Sequence, residues 1–441
     1  MLRQQNHCPQ YHAKTMRPFQ SLIQIFLAWK AFLFAIALGS GVSPAYDTSS
    51  TLLSSDRATF HESIFDLATR LTRWDAIYFI KASQRGYLYE QEWAFASGLP
   101  TVIATLTKGA SVLVGFGVQQ DDTLEPLVGV FVANASHLLS ALVLYKLSLV
   151  VSKSLQISLV AAVLHILSPA GLFLSAPYNE SPFALLSFVG YLFFAKAILS
   201  DGRTLAHDVS LVASGLWFGF AVQFRSNGTL SGILFAMELL REMTQPPTAS
   251  SIRRRLSLIA GGSAIAIGFI APQIIAYRTY CYNAVGSELR PWCTKRIPSI
   301  YTFVQEQYWN VGFLRYWTLS NIPLFLLAAP MLYIMAKSGT SFLSNPYLVS
   351  EDAKPGAASK DPAPLLRPMA VAQLILTALA ITTYHVQIIT RISSGYPLWY
   401  LWLAKLLSDN KTASTGKNIV LFMVMYASIQ GALFASFLPP A

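Results

Sequence analysis

Residues 127–151 read L127-V-G-V-F-V-A-N-A-S-H-L-L-S-A-L-V-L-Y-K-L-S-L-V-V151, an apolar run with a single lysine. About 20 apolar residues cross the hydrocarbon core of a bilayer as one helix. Windows of the same kind flank it: Ser21–Val42 upstream, then Leu155–Leu174, Phe183–Leu199, His207–Phe224 and Leu256–Tyr277 downstream. Pro323–Ala336, Pro368–Ile389, Pro397–Leu407 and Ile419–Phe437 continue the series, and Phe95–Val118 and Gly228–Leu240 are weaker versions. Composition agrees: of 441 residues 54% are hydrophobic and 12% charged, against roughly 25% charged in an average soluble domain. One soluble core cannot absorb that much apolar sequence. The reading is an all-α integral membrane protein with about 10 to 12 transmembrane or re-entrant helices. Residues 1–20 form a cytosolic N-terminal segment and 21–441 a single polytopic domain.

The net charge of +11 does not indicate nucleic acid, because no dense basic block with interleaved polar residues occurs. The basic residues gather at helix ends, where they anchor to headgroups and set topology. Arg3, Lys14 and Arg17 precede an apolar stretch too long for a signal-peptide core, so the first helix is expected to stay. The chain ends F-L-P-P-A, without a retrieval tetrapeptide. Cys8 stands alone. Cys281 and Cys293 lie twelve apart in one loop, with no C-x-x-C spacing; a disulfide between them requires an oxidising lumen.

Arg253-Arg254-Arg255 is the densest basic cluster and marks a cytosolic loop by the positive-inside rule. Counting from it, Asp201–Arg203 and a loop near 337–367 are cytosolic. The segments Pro177–Ser181, Arg225–Gly228, 278–319 and His385–Tyr396 fall on the lumenal side. The Asp75 region, in a loop near 43–95, joins them if Phe95–Val118 is re-entrant, tolerated where it lines a cavity.

On that face stands W74-D-A-I-Y-F79. Trp74, Ile77, Tyr78, Phe79 and Ile80 make a broad apolar surface, and Gly86 closes the run as a helix C-cap. The pattern fits an amphipathic helix lying at the interface. Asp75 falls in its first turn, where the helix dipole favours an anion; spacing alone leaves helix cap and catalyst both open. In S175-A-P-Y-N-E-S-P182, Asn179 and Glu180 stand at a helix start; the simpler reading is a turn with Ser181 and Pro182 as start signals, the other is pocket lining. Asn179-Glu-Ser181 is a poor glycan acceptor with Pro182 next. Arg225 and Asn227, in R-S-N-G, lie between apolar helices; such an arginine either snorkels to headgroups or binds an anion. His385, Gln387 and Arg391 have helical spacing that puts 387 and 391 on one face. Q305-E-Q-Y-W-N-V-G-F-L-R-Y-W317 reads as an aromatic belt or part of an acceptor cleft. No G-x-x-x-x-G-K-[ST], G-x-G-x-x-G after a strand, H-E-x-x-H or D-x-D occurs, so soluble nucleotide donors find no support.

At R-W-D-A-I-Y-F, L-S-A-P-Y-N-E-S-P, R-S-N-G, Q-E-Q-Y-W-N-V-G-F-L-R-Y-W, I-P-L-F-L-L-A-A-P and H-V-Q-I-I-T-R the chain resembles the GPI mannosyltransferase 2 family. The resemblance runs from about Arg73 to the C-terminal helix. It implies a GT-C type glycosyltransferase of the endoplasmic-reticulum membrane with a lumenal active site. Mannose passes from dolichyl phosphate, with inversion, to the 6-hydroxyl of the first mannose of the GPI precursor lipid. The family's acidic residue maps to Asp75, as general base. Arg73 stands where relatives often carry His, either as a donor-phosphate contact or as an interfacial anchor, and Trp74 is expected with it among the substrate-binding residues. Arg225, Arg391 and His385 are the expected phosphate contacts, with Asn179, Glu180, Asn227 and Gln387 completing the substrate-binding set. No cofactor or metal is implied; a small membrane accessory subunit is. The competing readings are a different mannosyltransferase of that membrane, acting on another GPI position or a protein Ser/Thr, a non-catalytic subunit, and a lipid or sugar transporter with a midplane site.

Overall fold

The computed structural model describes residues 17–42, 46–47, 49, 62–114, 124–200, 202–282, 289–350 and 361–438. The expectations that rest on Arg3, Cys8, Lys14 and Asp201, and on the middle of the 337–367 loop, lie outside the described residues. Sixteen α-helices follow in order: α1 (Pro18–Gly39), α2 (Glu62–Leu71), α3 (Asp75–Arg85), α4 (Gly98–Val114), α5 (Leu124–Ser152), α6 (Leu155–Ile166), α7 (Glu180–Leu199) and α8 (Leu205–Val222). Then come α9 (Gly232–Met243), α10 (Ala249–Tyr277), α11 (Ile300–Trp309), α12 (Ile322–Ser344), α13 (Ala363–Thr382), α14 (Ile389–Ile392), α15 (Leu398–Ser408) and α16 (Ala413–Ala435).

Eight of these helices are long and apolar enough to cross a membrane: α1, α5, α7, α8, α10, α12, α13 and α16. The remaining apolar windows fold as shorter pieces. α4, α6, α9 and α15 have 17, 12, 12 and 11 residues. The shortness of α6, α9 and α15 has a cause visible in the chain. α6 gives way after Ile166 to a 3-10 turn at Gly171–Leu174, α9 is preceded by another at Ser226–Ser231, and α15 follows a broken stretch from Val386 to Gly395. Non-helical backbone at such depth is tolerated where it is buried in protein or lines a cavity. At its far end α12 runs on through Lys337 to Ser344, so the connection expected from residue 337 begins later.

α5, α7, α8 and α10 pack side by side in that order. α8 and α10 run parallel, with Asp208 bonded to Arg253 near their starts (2.5 Å) and Gln223 Nε2 donating to the Gly268 carbonyl near their ends (2.7 Å). Small residues permit this closeness: a Cβ on Gly215 would collide with the backbone of Gly261. Charges then segregate. Arg203 and Arg254 pair with Glu242, and Arg241 and Arg254 with Glu238, at the end where α10 begins. Asp75, Glu180, Arg225 and Arg391 gather at the opposite end.

The amphipathic segment does form a helix, Asp75–Arg85, closed by Gly86 at φ +76°. Its apolar face turns inward rather than toward lipid. Ala76, Phe79 and Ile80 are buried against α4 and α5. Beside α3 sits a capping layer held by covalent and polar ties. Cys281 and Cys293 form a disulfide with Cα atoms 5.6 Å apart. Trp292 Nε1 donates to buried Glu90 (2.9 Å), and α11 packs on the 3-10 turn Glu90–Ala94. Next to it, burial pushes the Glu92 carboxyl up, but Arg85 and the backbone N–H groups of Leu88 and Tyr89 more than offset this and hold it below the usual carboxylate range. Removing the disulfide by Cys281→Ser with Cys293→Ser is expected to destabilise the cap by about 2–3 kcal/mol, the loop-entropy scale for a closure of this size. A lower unfolding temperature in detergent, with loss greater for capping-layer probes than for the bundle, is the measurement.

Candidate active site

A cavity of about 330 Å³ opens at the end of the bundle where the acid and the two arginines meet. Its walls come from the start of α3, residues 93–97, the end of α8 through Asn227, the last turns of α10, α11, and residues 384–392. Apart from α11, which lies along the cavity with Tyr301, Gln305 and Trp309, these are helix ends or breaks between helices.

Asp75 enters this space from the first turn of α3. Its side chain is 42% exposed, and its Oδ2 lies 3.5 Å from Arg391 Nη1. Trp74 just before it has φ +54°, unusual for a residue with a Cβ. It lies in the short connection from α2 to α3. Trp74 and Arg73 both pack on Phe437, with ring centroids 5.1 Å apart and the Arg73 guanidinium 4.9 Å from the ring. Arg73 is buried, and its carbonyl accepts from Tyr178 Oη at 3.0 Å. Neither Arg73 nor Trp74 lines the cavity, which corrects their expected place among the substrate-binding residues. Only the carboxylate emerges into the cavity.

Glu180, in the first turn of α7, is fully buried. Its Oε1 accepts from both Arg225 Nη1 and Arg391 Nε, each at 2.8 Å. It stands behind the wall rather than on it. The expected substrate contact is instead the group that orients two cations. Arg225 and Arg391 each keep 15% of the side chain exposed and both line the cavity. Arg391 is further held over Phe173 and Tyr178, at 4.3 and 4.7 Å from their ring centroids. Arginine offers five donors in a rigid fork, so a guanidinium that spends one on Glu180 retains others for an anion.

His385 also lines the cavity. Its ring lies 4.7 Å from Tyr316, and Nε2 is 3.0 Å from the Trp309 carbonyl. A carbonyl only accepts, so Nε2 carries the proton and Nδ1 is left for another partner. Asn179 is a wall residue whose buried Oδ1 meets no donor among the described residues. The helix start expected here is present, since α7 begins at Glu180 with Ser181 and Pro182 in its first turn; the Ser181 hydroxyl donates to the Leu174 carbonyl at 2.9 Å. Asn227 lines the cavity too, its Nδ2 donating to Tyr396 Oη at 3.2 Å. Gln387 does not. It lies in a 3-10 turn followed by a single α-helical turn. In that geometry residues four apart do not share a face, so the pairing with Arg391 fails.

The sequence reading missed much of an uncharged wall: Gln223, Gln273, Tyr301 and Tyr384 face the cavity. Gln305 and Trp309 join them, from the 305–317 stretch read as an aromatic belt or part of an acceptor cleft. Gln273 Oε1 accepts from Ser299 Oγ (3.1 Å) and the Tyr301 backbone N–H (3.3 Å). The available signal was an amide inside an otherwise apolar window, present for Gln223 and Gln273. Neutral amides and aromatic rings suit sugar hydroxyls and C–H faces. A second cavity, apolar and about 790 Å³, shares Phe269 and Gln273 with the first and continues along α10 by Ile270, Ile274 and Tyr277 to Arg278. Among the described residues no three His, Cys, Asp or Glu side chains converge as metal ligands. The acidic pair Asp75 and Glu180 is separated by Arg391, which contacts both.

These features define a multi-spanning membrane protein with a charged, sugar-sized cavity at one end of its bundle. The profile of the mannosyltransferase (PIG-V) family matches residues 19–441, and the chain belongs to that family. Relatives named GPI mannosyltransferase 2 are similar throughout. The one from Chaetomium globosum is 50% identical over 98% of each chain. That of Gibberella zeae is 47% identical over 96% of this chain and 98% of its own. That of Schizosaccharomyces pombe is 31% identical over 90% of this chain and 79% of its own. Among solved structures, the oligosaccharyltransferase of Archaeoglobus fulgidus aligns with a TM-score of 0.44 at 13% identity, covering 94% of this chain and 56% of that one.

Proposed function

We propose that this mannosyltransferase acts in GPI-anchor assembly at the endoplasmic-reticulum membrane. It moves the second mannose from dolichyl-phosphate mannose to the 6-hydroxyl of the first mannose on the GPI precursor, with the site facing the lumen. The observation that carries the reading is a carboxylate, Asp75, open to a cavity whose facing wall holds Arg225 and Arg391. The names of the full-length relatives support the acceptor class.

The chemistry follows from those groups. The acceptor hydroxyl attacks the anomeric carbon from the face opposite the phosphate. Asp75 takes its proton as general base. The bond from that carbon to the phosphate oxygen breaks, and its electron pair leaves with the phosphate, so configuration inverts. The leaving group is already a weak base and needs no strong general acid. Arg225 and Arg391 stabilise the charge that grows on it; His385, with its proton on Nε2, keeps Nδ1 as an acceptor suited to a sugar hydroxyl rather than to the phosphate. The amide and aromatic wall takes the acceptor sugar. The apolar cavity along α10 gives a lipid chain a path out toward the membrane. A small membrane accessory subunit belongs to this reading, and co-purification from native membranes tests it.

The deciding experiment supplies the purified protein with dolichyl-phosphate mannose and a panel of acceptors. Transfer is expected only to a GPI precursor carrying one mannose, giving an α-1,6 linkage. Transfer to a precursor lacking mannose, or to a Ser/Thr peptide, would overturn the assignment. Depletion in cells is expected to accumulate the one-mannose precursor.

A further inference from the structure

Lys30 lies within α1, a membrane-spanning helix, and is 4% exposed. Its neighbours on that face are Phe26, Trp29 and Leu33, all buried. No carboxylate of the described residues lies within ion-pairing distance of it. Ionisable residues inside spanning helices are costly, and where they occur they generally serve function through a specific partner. Here the partner is a short piece of backbone. Lys30 Nζ donates to the Leu174 carbonyl (3.3 Å) and to Ser175 Oγ (2.6 Å), and sits 5.3 Å from the Phe26 ring centroid.

That backbone is the root of the active-site wall. Leu174 ends the 3-10 turn Gly171–Leu174, and the six residues that follow reach Glu180. Phe173 and Tyr178 stack on Arg391, Glu180 holds Arg391 and Arg225, and Tyr178 Oη ties the segment to Arg73, two residues before Asp75. The Leu174 carbonyl accepts from both Lys30 and Ser181, and the Ser175 carbonyl accepts from Asn134 Nδ2 at 3.3 Å. A shift of this root moves Arg391 relative to Asp75, and an error of about 1 Å at a reacting centre costs on the order of a hundredfold in rate.

We infer that Lys30 is a positioning residue for mannosyl transfer: it pins Leu174–Ser175 and thereby sets the cationic wall against Asp75. It touches neither substrate nor reacting atoms, and the inference rests on the family's transferase activity with Asp75 and the two arginines as its centre. The test measures kcat and KM separately, per folded molecule, for Lys30→Met, Ser175→Ala and Tyr178→Phe, with Lys30→Met also made in the Tyr178→Phe background. Lys30→Met is expected to lower kcat about tenfold or more, the scale of a lost hydrogen bond to a charged group, with the acceptor KM within about twofold. Ser175→Ala is expected to lower kcat in the same sense by less. The double variant is expected to lose less than the product of the two single losses, since both act on one segment. Lys30→Gln, which keeps a donor for the Leu174 carbonyl, is expected to recover part of the rate. Normal kcat per folded molecule in Lys30→Met, or multiplicative losses in the double variant, overturns the inference. If Lys30→Met does not fold, Ser175→Ala decides, and a normal kcat there overturns it. An inactive wild-type protein with every mannose donor would instead sink the transferase reading itself.

Discussion

Asp75→Asn is expected to reduce mannose transfer by roughly 10²–10⁴-fold in kcat, the range for loss of a general base, while the unfolding temperature stays unchanged. The size follows from chemistry: an amide of the same shape cannot accept the hydroxyl proton as the anomeric bond breaks. The unchanged stability follows from structure. The Asp75 side chain is 42% exposed and meets Arg391 only at 3.5 Å. Asp75→Glu keeps the carboxylate but displaces it, and is expected to retain intermediate activity. The assay is turnover at saturating donor and acceptor alongside a thermal melt. Normal turnover by folded Asp75→Asn would remove the base from this position.

Glu180→Gln is expected to do the opposite kind of damage, lowering stability and kcat together. The carboxylate is fully buried, and one oxygen receives two guanidinium donors at 2.8 Å. Breaking a buried pair leaves uncompensated charge, at a cost of roughly 3–5 kcal/mol. Two arginines then face one remaining acid. Arg391, already near Asp75, turns to it and occupies the lone pair that the reaction needs. A loss on the order of 10²-fold in kcat is expected, as for a misplaced catalytic group. The comparison between the two variants is the measurement: a falling unfolding temperature for Glu180→Gln and a flat one for Asp75→Asn. A Glu180→Gln protein with native melt and native kcat would show that the two arginines are fixed by other means.

The residues differ in how far the sequence revealed them. Asp75 and Gly86 were legible because a helix start and a helix stop are local events, set by the dipole and by the conformational freedom of glycine. Cys281 and Cys293 were legible as a pair because they share one loop. Arg73 and Trp74 were misplaced because both pack on Phe437, far along the chain, a contact that no local pattern encodes. Gln387 was misplaced because periodicity assumes an unbroken α-helix, and the chain there is mostly 3-10. Glu180 was found but given the wrong task. Charge type was visible in the sequence, whereas its complete burial between Arg225 and Arg391 depends on contacts 45 and 211 residues away.

The sequence by itself determined the solvent, the long helices and which segments gather at each end of the bundle. These depend on hydropathy over tens of residues and on basic clusters at helix ends, which are properties of single segments. The tertiary structure decided which polar groups meet. Short helices broken by 3-10 turns bring α3, α7, the 225–227 turn and the 384–392 stretch to one cavity, and set Lys30 of the first helix beneath the wall that holds Arg391. No local pattern encodes that meeting, because it is fixed by how closely the long helices pack and where each of the short ones stops.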